Sequence, residues 1–175
     1  MLARGLAGAE RNRMRLASWL ASFKALHQKA KQEQLSDEER LSYQAARDEL
    51  AAALLAAQRV QAKPGQSPRK ALRAARALQV AIDRDGETFR ALTLDLSAGG
   101  FGALFARTPP IGEKLKATLR LPGGESVTCA AHIVGVVPQG GASRVACSFE
   151  GMSAEDQEKL ELLVFDTVLE QMKLE

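Results

Sequence analysis

Arg69 and Arg73 stand four residues apart just before a run of β-type sequence, and Asp95-Leu96-Ser97-Ala98-Gly99-Gly100 follows where the second strand of a hairpin should end. A guanidinium is a planar fork that meets phosphate oxygens bidentately and stacks on flat rings, so the arginines supply affinity and geometry together. Asp95 and Ser97 offer acceptors and a hydroxyl to a base edge, while Gly99 and Gly100 permit a tight turn and close approach of a ligand to the backbone. The ends of a hairpin lie near each other, which brings both clusters to one surface. The chemistry composed there is recognition of a phosphorylated ring compound. Neither cluster is specific alone: with Lys70 and Arg76 the arginines would read as a solvated basic face, and Asp95 to Gly100 as an ordinary Asx-type turn.

The elements that must position these residues follow from the pattern around them. Short β-type runs are predicted at Ala77 to Ile82, Thr88 to Leu94, Gly100 to Ala106, Lys114 to Leu121, Ser126 to Val137 and Ser143 to Phe149. Asp85-Gly86, Pro109-Pro110, Pro122-Gly123-Gly124 and Gly140-Gly141 punctuate them. Strands this short and this evenly spaced are best housed in an antiparallel barrel or sandwich, since closure removes exposed edges. A final helix is predicted from Ser153, capped with Asp156 three residues on, with Leu160, Leu163, Val164 and Val168 on its apolar face.

Upstream the rhythm is helical. Leu16, Trp19, Phe23, Leu26 and Ala30 recur at spacings of three and four, predicting a helix over about Ala9 to Ala30. Ser36 and Glu39 form a capping box for a second helix, along which Tyr43, Ala46, Leu50, Ala53, Ala57 and Val60 keep a heptad rhythm. The short connection from Gln32 to Ser36 predicts an antiparallel helical hairpin. Lys63-Pro64-Gly65-Gln66-Ser67-Pro68 ends it, since two prolines and a glycine cannot continue a helix. The predicted organisation is α+β: a hairpin over 1–62, a linker over 63–68, and a six-stranded antiparallel barrel with a C-terminal helix over 69–175.

The paired signature, Arg-x-x-x-Arg at Arg69 and Arg73 followed by Asp-x-Ser-x-x-Gly at Asp95, Ser97 and Gly100, resembles that of PilZ domains. The order of the two halves, the strand pair between them, Phe101 after the glycine and the closing helix all fit that family. The resemblance runs from about Pro68 to Leu174. It implies a barrel that binds cyclic di-GMP, with Arg69 and Arg73 on phosphates and guanine faces, Asp95 and Ser97 reading a guanine edge, and Gly100 keeping the turn open. It further implies a bacterial second-messenger effector in which nucleotide orders the arginine-bearing linker and alters how the N-terminal helices meet a protein partner or a second copy. The contrasting expectation is a degenerate barrel acting as an adaptor through the hairpin alone.

Composition bounds the rest. Apolar residues are 46% and charged residues 26% of the chain, a globular balance. The formal charge of +3 is uneven: through residue 31, Arg4, Arg11, Arg13, Arg15, Lys24, Lys29 and Lys31 face Glu10 alone, whereas acidic residues dominate from Ser153 onward. The basic first helix carries no nucleic-acid recognition motif, so a DNA or RNA contact ranks last among the expected partners. No apolar run reaches the length of a membrane span and no signal peptide is legible, which predicts a cytoplasmic protein without membrane insertion. Cys129 and Cys147 have no partner at ligand spacing and are expected to be reduced packing residues. His27 and His132 are read as structural, Arg76 and Arg107 as solvated. With no phosphate loop, no His-Glu-x-x-His and no nucleophile–base pair, neither catalysis, nor a metal, nor a cofactor is expected.

Overall fold

The computed structural model describes residues 2–60 and 71–172, with side chains from residue 10 onward. The linker predicted at 63–68 lies outside the described residues, as does Arg69. The chain divides into two compact units, Met1–Arg69 with Leu169–Glu175, and Lys70–Val168.

In the first unit, α1 (Leu2–Lys31) and α2 (Asp37–Val60) pack on each other. The reversal is closed by Glu33 at a φ of 56°, with Gln34 N–H bonded to Lys29 C=O at 2.9 Å and Glu33 N–H to Ala30 C=O at 3.1 Å. These bonds satisfy carbonyls that the end of a helix leaves without partners. The capping box forms in both directions: Ser36 N–H donates to Glu39 Oε2 at 3.1 Å, and Glu39 N–H donates to Ser36 Oγ at 3.2 Å. The hydrogen bond from Lys29 and the amide of Ser36 hold the Glu39 carboxyl below its ordinary range.

The buried face differs in register from the predicted heptad. Leu20, Phe23 and His27 on α1 and Tyr43, Arg47 and Leu50 on α2 are buried, whereas Leu16 is 50% and Val60 86% exposed. Ala53 and Ala57 are also exposed, and Leu54 and Gln58 turn partly inward instead. A straight helix repeats every 3.6 residues and drifts off a 3.5-residue stripe, so the heptad assignment fails progressively beyond Leu50. His27, set beside the stripe by the sequence pattern, lies inside the packing, with Nδ1 2.9 Å from the Tyr43 hydroxyl. Trp19, Phe23 and Tyr43 stack in series, with ring centroids 5.6 and 5.7 Å apart.

The second unit is a closed antiparallel barrel in the order β1-β2-β3-β6-β5-β4, followed by α3 (Ala154–Gln171). Its strands are β1 (Gln79–Arg84), β2 (Glu87–Ser97), β3 (Gly100–Phe105), β4 (Lys114–Arg120), β5 (Ser126–Gln139) and β6 (Ala142–Glu150). All six predicted strands are present, β2, β5 and β6 being longer than expected. Alternate residues fill the interior: Val80 and Ile82, Leu96, Phe101 and Ala103, Ala117 and Leu119, Val127, Ala131 and Ile133, and Val145 and Cys147 are all buried. Register shifts between Thr93 and Asp95 and between Ile133 and Gly135 bend β2 and β5. Both cysteines are free thiols, and burial pushes the Cys147 thiol up to about 12. Ser153 Oγ caps α3 by accepting the Asp156 N–H at 3.1 Å, and Leu160, Leu163, Val164 and Val168 are buried as the pattern predicts.

Candidate functional site

The segment that carries Arg73 is held against β2 by its backbone. Ala74 and Leu96 exchange N–H···O=C bonds, both of 2.9 Å. Thr93 supplies a second attachment: its hydroxyl accepts the Leu78 N–H at 2.8 Å and donates to the Arg76 carbonyl at 2.5 Å. The segment 71–78 contains no helix, because the backbone of Ala74 is committed to the strand beside it. Arg73 is therefore delivered alongside Asp95 and Ser97, the residues that flank Leu96.

Asp95 is the centre of the arrangement. Leu96 points into the barrel, so Asp95 faces outward, where its side chain is only 12% exposed. Arg73 Nη1 donates to Oδ1 at 3.3 Å, and Arg144 Nη2, from β6, donates to Oδ2 at 2.8 Å. Arg144 reaches across β3 because Gly102, the register partner of Asp95, has no side chain: a Cβ there would lie 3.1 Å from both carboxylate oxygens. Two guanidinium groups on one carboxylate leave this trio with a net positive charge on the barrel's outer face, a disposition suited to anions.

Ser97 and Gly100 have different surroundings. Ser97 is buried, and its hydroxyl accepts the Gly99 N–H at 3.2 Å and donates to the Gly100 carbonyl at 3.3 Å, closing the turn between β2 and β3. A Cβ on Gly100 would lie 2.1 Å from the Cys147 carbonyl oxygen, so glycine is required there for β3 to approach β6. Gly102, Ala146 and Gly135 continue the row that starts at Asp95 across three neighbouring strands. Small residues make that row a shallow outer surface.

The structure thus brings Arg73, Asp95, Ser97 and Gly100 to one end of the β2–β3 hairpin. Arg144 and Gly102 were not singled out from the sequence. An outward strand arginine resembles any solvated charge; the one available signal for Gly102 was the Gly100-Phe101-Gly102 alternation, which places two glycines on the face opposite a core phenylalanine. His132 Nδ1 lies 2.8 Å from Glu150 Oε1. Among the described residues no group of three or more His, Cys, Asp or Glu side chains could hold a metal ion. No described helix is long and apolar enough to cross a membrane.

Comparison with known proteins converges on the same region. The family model described as "PilZ domain" matches residues 67–166, more than half of the chain. The structure is similar to the inhibitor of motility from Bacillus subtilis, with a TM-score of 0.56 and 23% identity over 62% of this chain and 55% of that one. It is similar to the MrkH–c-di-GMP complex of K. pneumonia, with a TM-score of 0.51 and 23% identity over 61% of this chain and 55% of that one. For YcgR of Escherichia coli in complex with c-di-GMP the TM-score is 0.51, with 20% identity over 59% of this chain and 47% of that one. The aligned region spans about half the length of each of these proteins. No match was found among curated proteins.

Proposed function

We propose that this chain, which belongs to the PilZ domain family, is a cyclic di-GMP receptor whose nucleotide site is centred on Asp95. The observation that carries the reading is the net-positive trio of Arg73, Asp95 and Arg144 on an outer surface floored by Gly102 and Ala146. Guanidinium forks suit the phosphodiester oxygens, and a floor without large side chains accommodates a flat base. The Arg73 contact to Asp95 is the longer of the two, 3.3 against 2.8 Å, so Arg73 is the arginine that turns to the nucleotide. The Oδ1 it vacates then accepts from a guanine edge, whose ring N–H and amino group are donors. Arg69, one Arg-x-x-x-Arg step before Arg73, joins from the linker. Ser97 and Gly100 hold the turn that keeps Asp95 in place. The solved c-di-GMP complexes of YcgR and MrkH support the choice of ligand.

In this reading 69–175 is the receptor domain, 63–68 the linker and 1–62 the output. Nucleotide fixes the arginine-bearing segment upstream of Ala74 and thereby alters how the helical hairpin meets a protein partner or a second copy. The protein works in the cytoplasm, needs no metal or cofactor, and performs no catalysis. Titration with cyclic di-GMP, with GMP and cyclic di-AMP as controls, tests the receptor, and sedimentation with and without nucleotide tests the coupling. Saturable binding of cyclic di-GMP alone, with a nucleotide-dependent change in association, is expected.

One observation favours a second reading. Both Asp95 oxygens are already occupied by arginines and Ser97 is buried in its turn, so the site is self-satisfied. A barrel in which these contacts outweigh the nucleotide would be an adaptor acting through the hairpin. Absence of cyclic di-GMP binding together with unaltered self-association would select it.

A further inference from the structure

The ladder between β2 and β3 ends at Thr93 and Ala103. Beyond that pair the strands part company: Glu87 to Leu92 remain paired to β1, and Leu104 and Phe105 to β6. A cleft of about 350 Å³ opens between them, lined on one side by Arg84, Glu87, Phe89 and Arg90 and on the other by Leu104, Phe105, Ala106 and Arg107. Its size falls at the lower end of the range for small-molecule sites, roughly 300 to 1,000 Å³.

The lining has two chemical parts. Phe89 and the almost fully buried Phe105, 2% exposed, meet edge to face with centroids 5.1 Å apart, and the exposed Leu104 adds a further apolar residue to the lining. Arginines rim it. Arg84 is paired with Glu113 at 3.4 Å, but among the described residues neither Arg90 nor Arg107 has an ion pair. Against these two cations stands Glu87, which leaves the rim with one uncompensated positive charge. Arg73, Asp95 and Arg144 do not line this cleft.

We propose that the cleft is a second binding site, for a small monoanion with an aromatic body: the ring lies against Phe89, which the buried Phe105 backs, and its carboxylate or acid-ester head meets Arg90 and Arg107 from opposite lips. This site is independent of the cyclic di-GMP reading. Arginine recognises such heads through paired N–H donors, and a partly dehydrated cleft strengthens them.

The test is a titration of the full chain with naphthoate, followed by NMR of the Leu104 methyls and the Phe89 and Phe105 rings, with neutral naphthalenemethanol as control. Saturable shifts at those groups are expected with naphthoate and much weaker ones with the alcohol. Arg90→Ala and Arg107→Ala should each weaken naphthoate about tenfold, the effect of losing one charge-assisted hydrogen bond, and Arg73→Ala should leave it unchanged. Both lip arginines are exposed, so an unaltered melting midpoint confirms that the variants are folded. No saturable shift at the cleft, equal binding of the alcohol, or full affinity in both lip variants would overturn the proposal.

Discussion

Asp95 on β2 and Arg144 on β6 are joined by a 2.8 Å hydrogen bond that passes over β3 at Gly102. Two strands that are not neighbours are thus tied on the outer face, and the carboxylate that receives the tie sits over Gly102, where a Cβ would come within 3.1 Å of both its oxygens. Gly102→Val should therefore displace the Asp95 carboxylate without unfolding the barrel, since the residue faces outward. We expect cyclic di-GMP affinity to fall about tenfold or more in Gly102→Val and in Arg144→Ala, each losing a charge-assisted contact. Unchanged affinity in both would remove Arg144 from the site.

Gly100 differs from Gly102 in what it touches. Its missing Cβ would meet the backbone carbonyl of Cys147 at 2.1 Å, and a backbone atom cannot rotate aside. Gly100→Ala should cost about 1–3 kcal/mol or more through forced backbone shifts, read by urea unfolding of the barrel. Gly99→Ala, whose nearest atom would be Ser97 Oγ at 3.9 Å, should be close to neutral. Equal stability of the two variants would contradict the packing assigned to Gly100.

The hairpin can be followed separately, because Trp19 is the one tryptophan of the chain and lies in its aromatic stack. Tyr43→Phe keeps the ring but removes the hydroxyl bonded to buried His27. Leaving a buried polar atom without that partner costs about 1–3 kcal/mol. Denaturation followed by Trp19 fluorescence should show the loss, and His27→Phe, which removes the polar atoms from the other side, should recover part of it in the double variant.

Acid should loosen the same unit through Glu39. Lys29 and the Ser36 amide depress its carboxyl in the folded state, so the stabilisation is fully present above the ordinary glutamate range. It is lost as pH falls through the lowered folded value. Glu39→Gln should flatten that part of the stability profile as measured by Trp19 fluorescence, and an identical profile in the variant would show that the capping box does not titrate with folding.

The six strands were legible because apolar residues alternate along them, as in Val80 and Ile82 or Ala131 and Ile133, and because glycine and proline pairs punctuate them; the paired signature of PilZ domains chose the barrel over a sandwich. Helix ends were legible where chemistry is local, as at Ser36 and Ser153. Burial beyond Leu50 was not, since a heptad and a straight helix separate only gradually along the chain. Arg73 and Asp95 could be placed together from hairpin logic. The extended path of Ala74 could not, because it follows from pairing with Leu96, more than twenty residues away. Arg144 was hidden for the same reason: its partner is set by sheet order across Gly102 and not by any spacing in the sequence.

The central claim is that Asp95 organises a cyclic di-GMP site, and calorimetric titration of the full chain and of Arg73→Ala and Asp95→Ala, across several temperatures, tests it most directly. Saturable heat in the wild type, abolished in both variants while their barrels remain folded, is the predicted result. Wild-type heat retained in Asp95→Ala, or none in the wild type at any temperature, would contradict it.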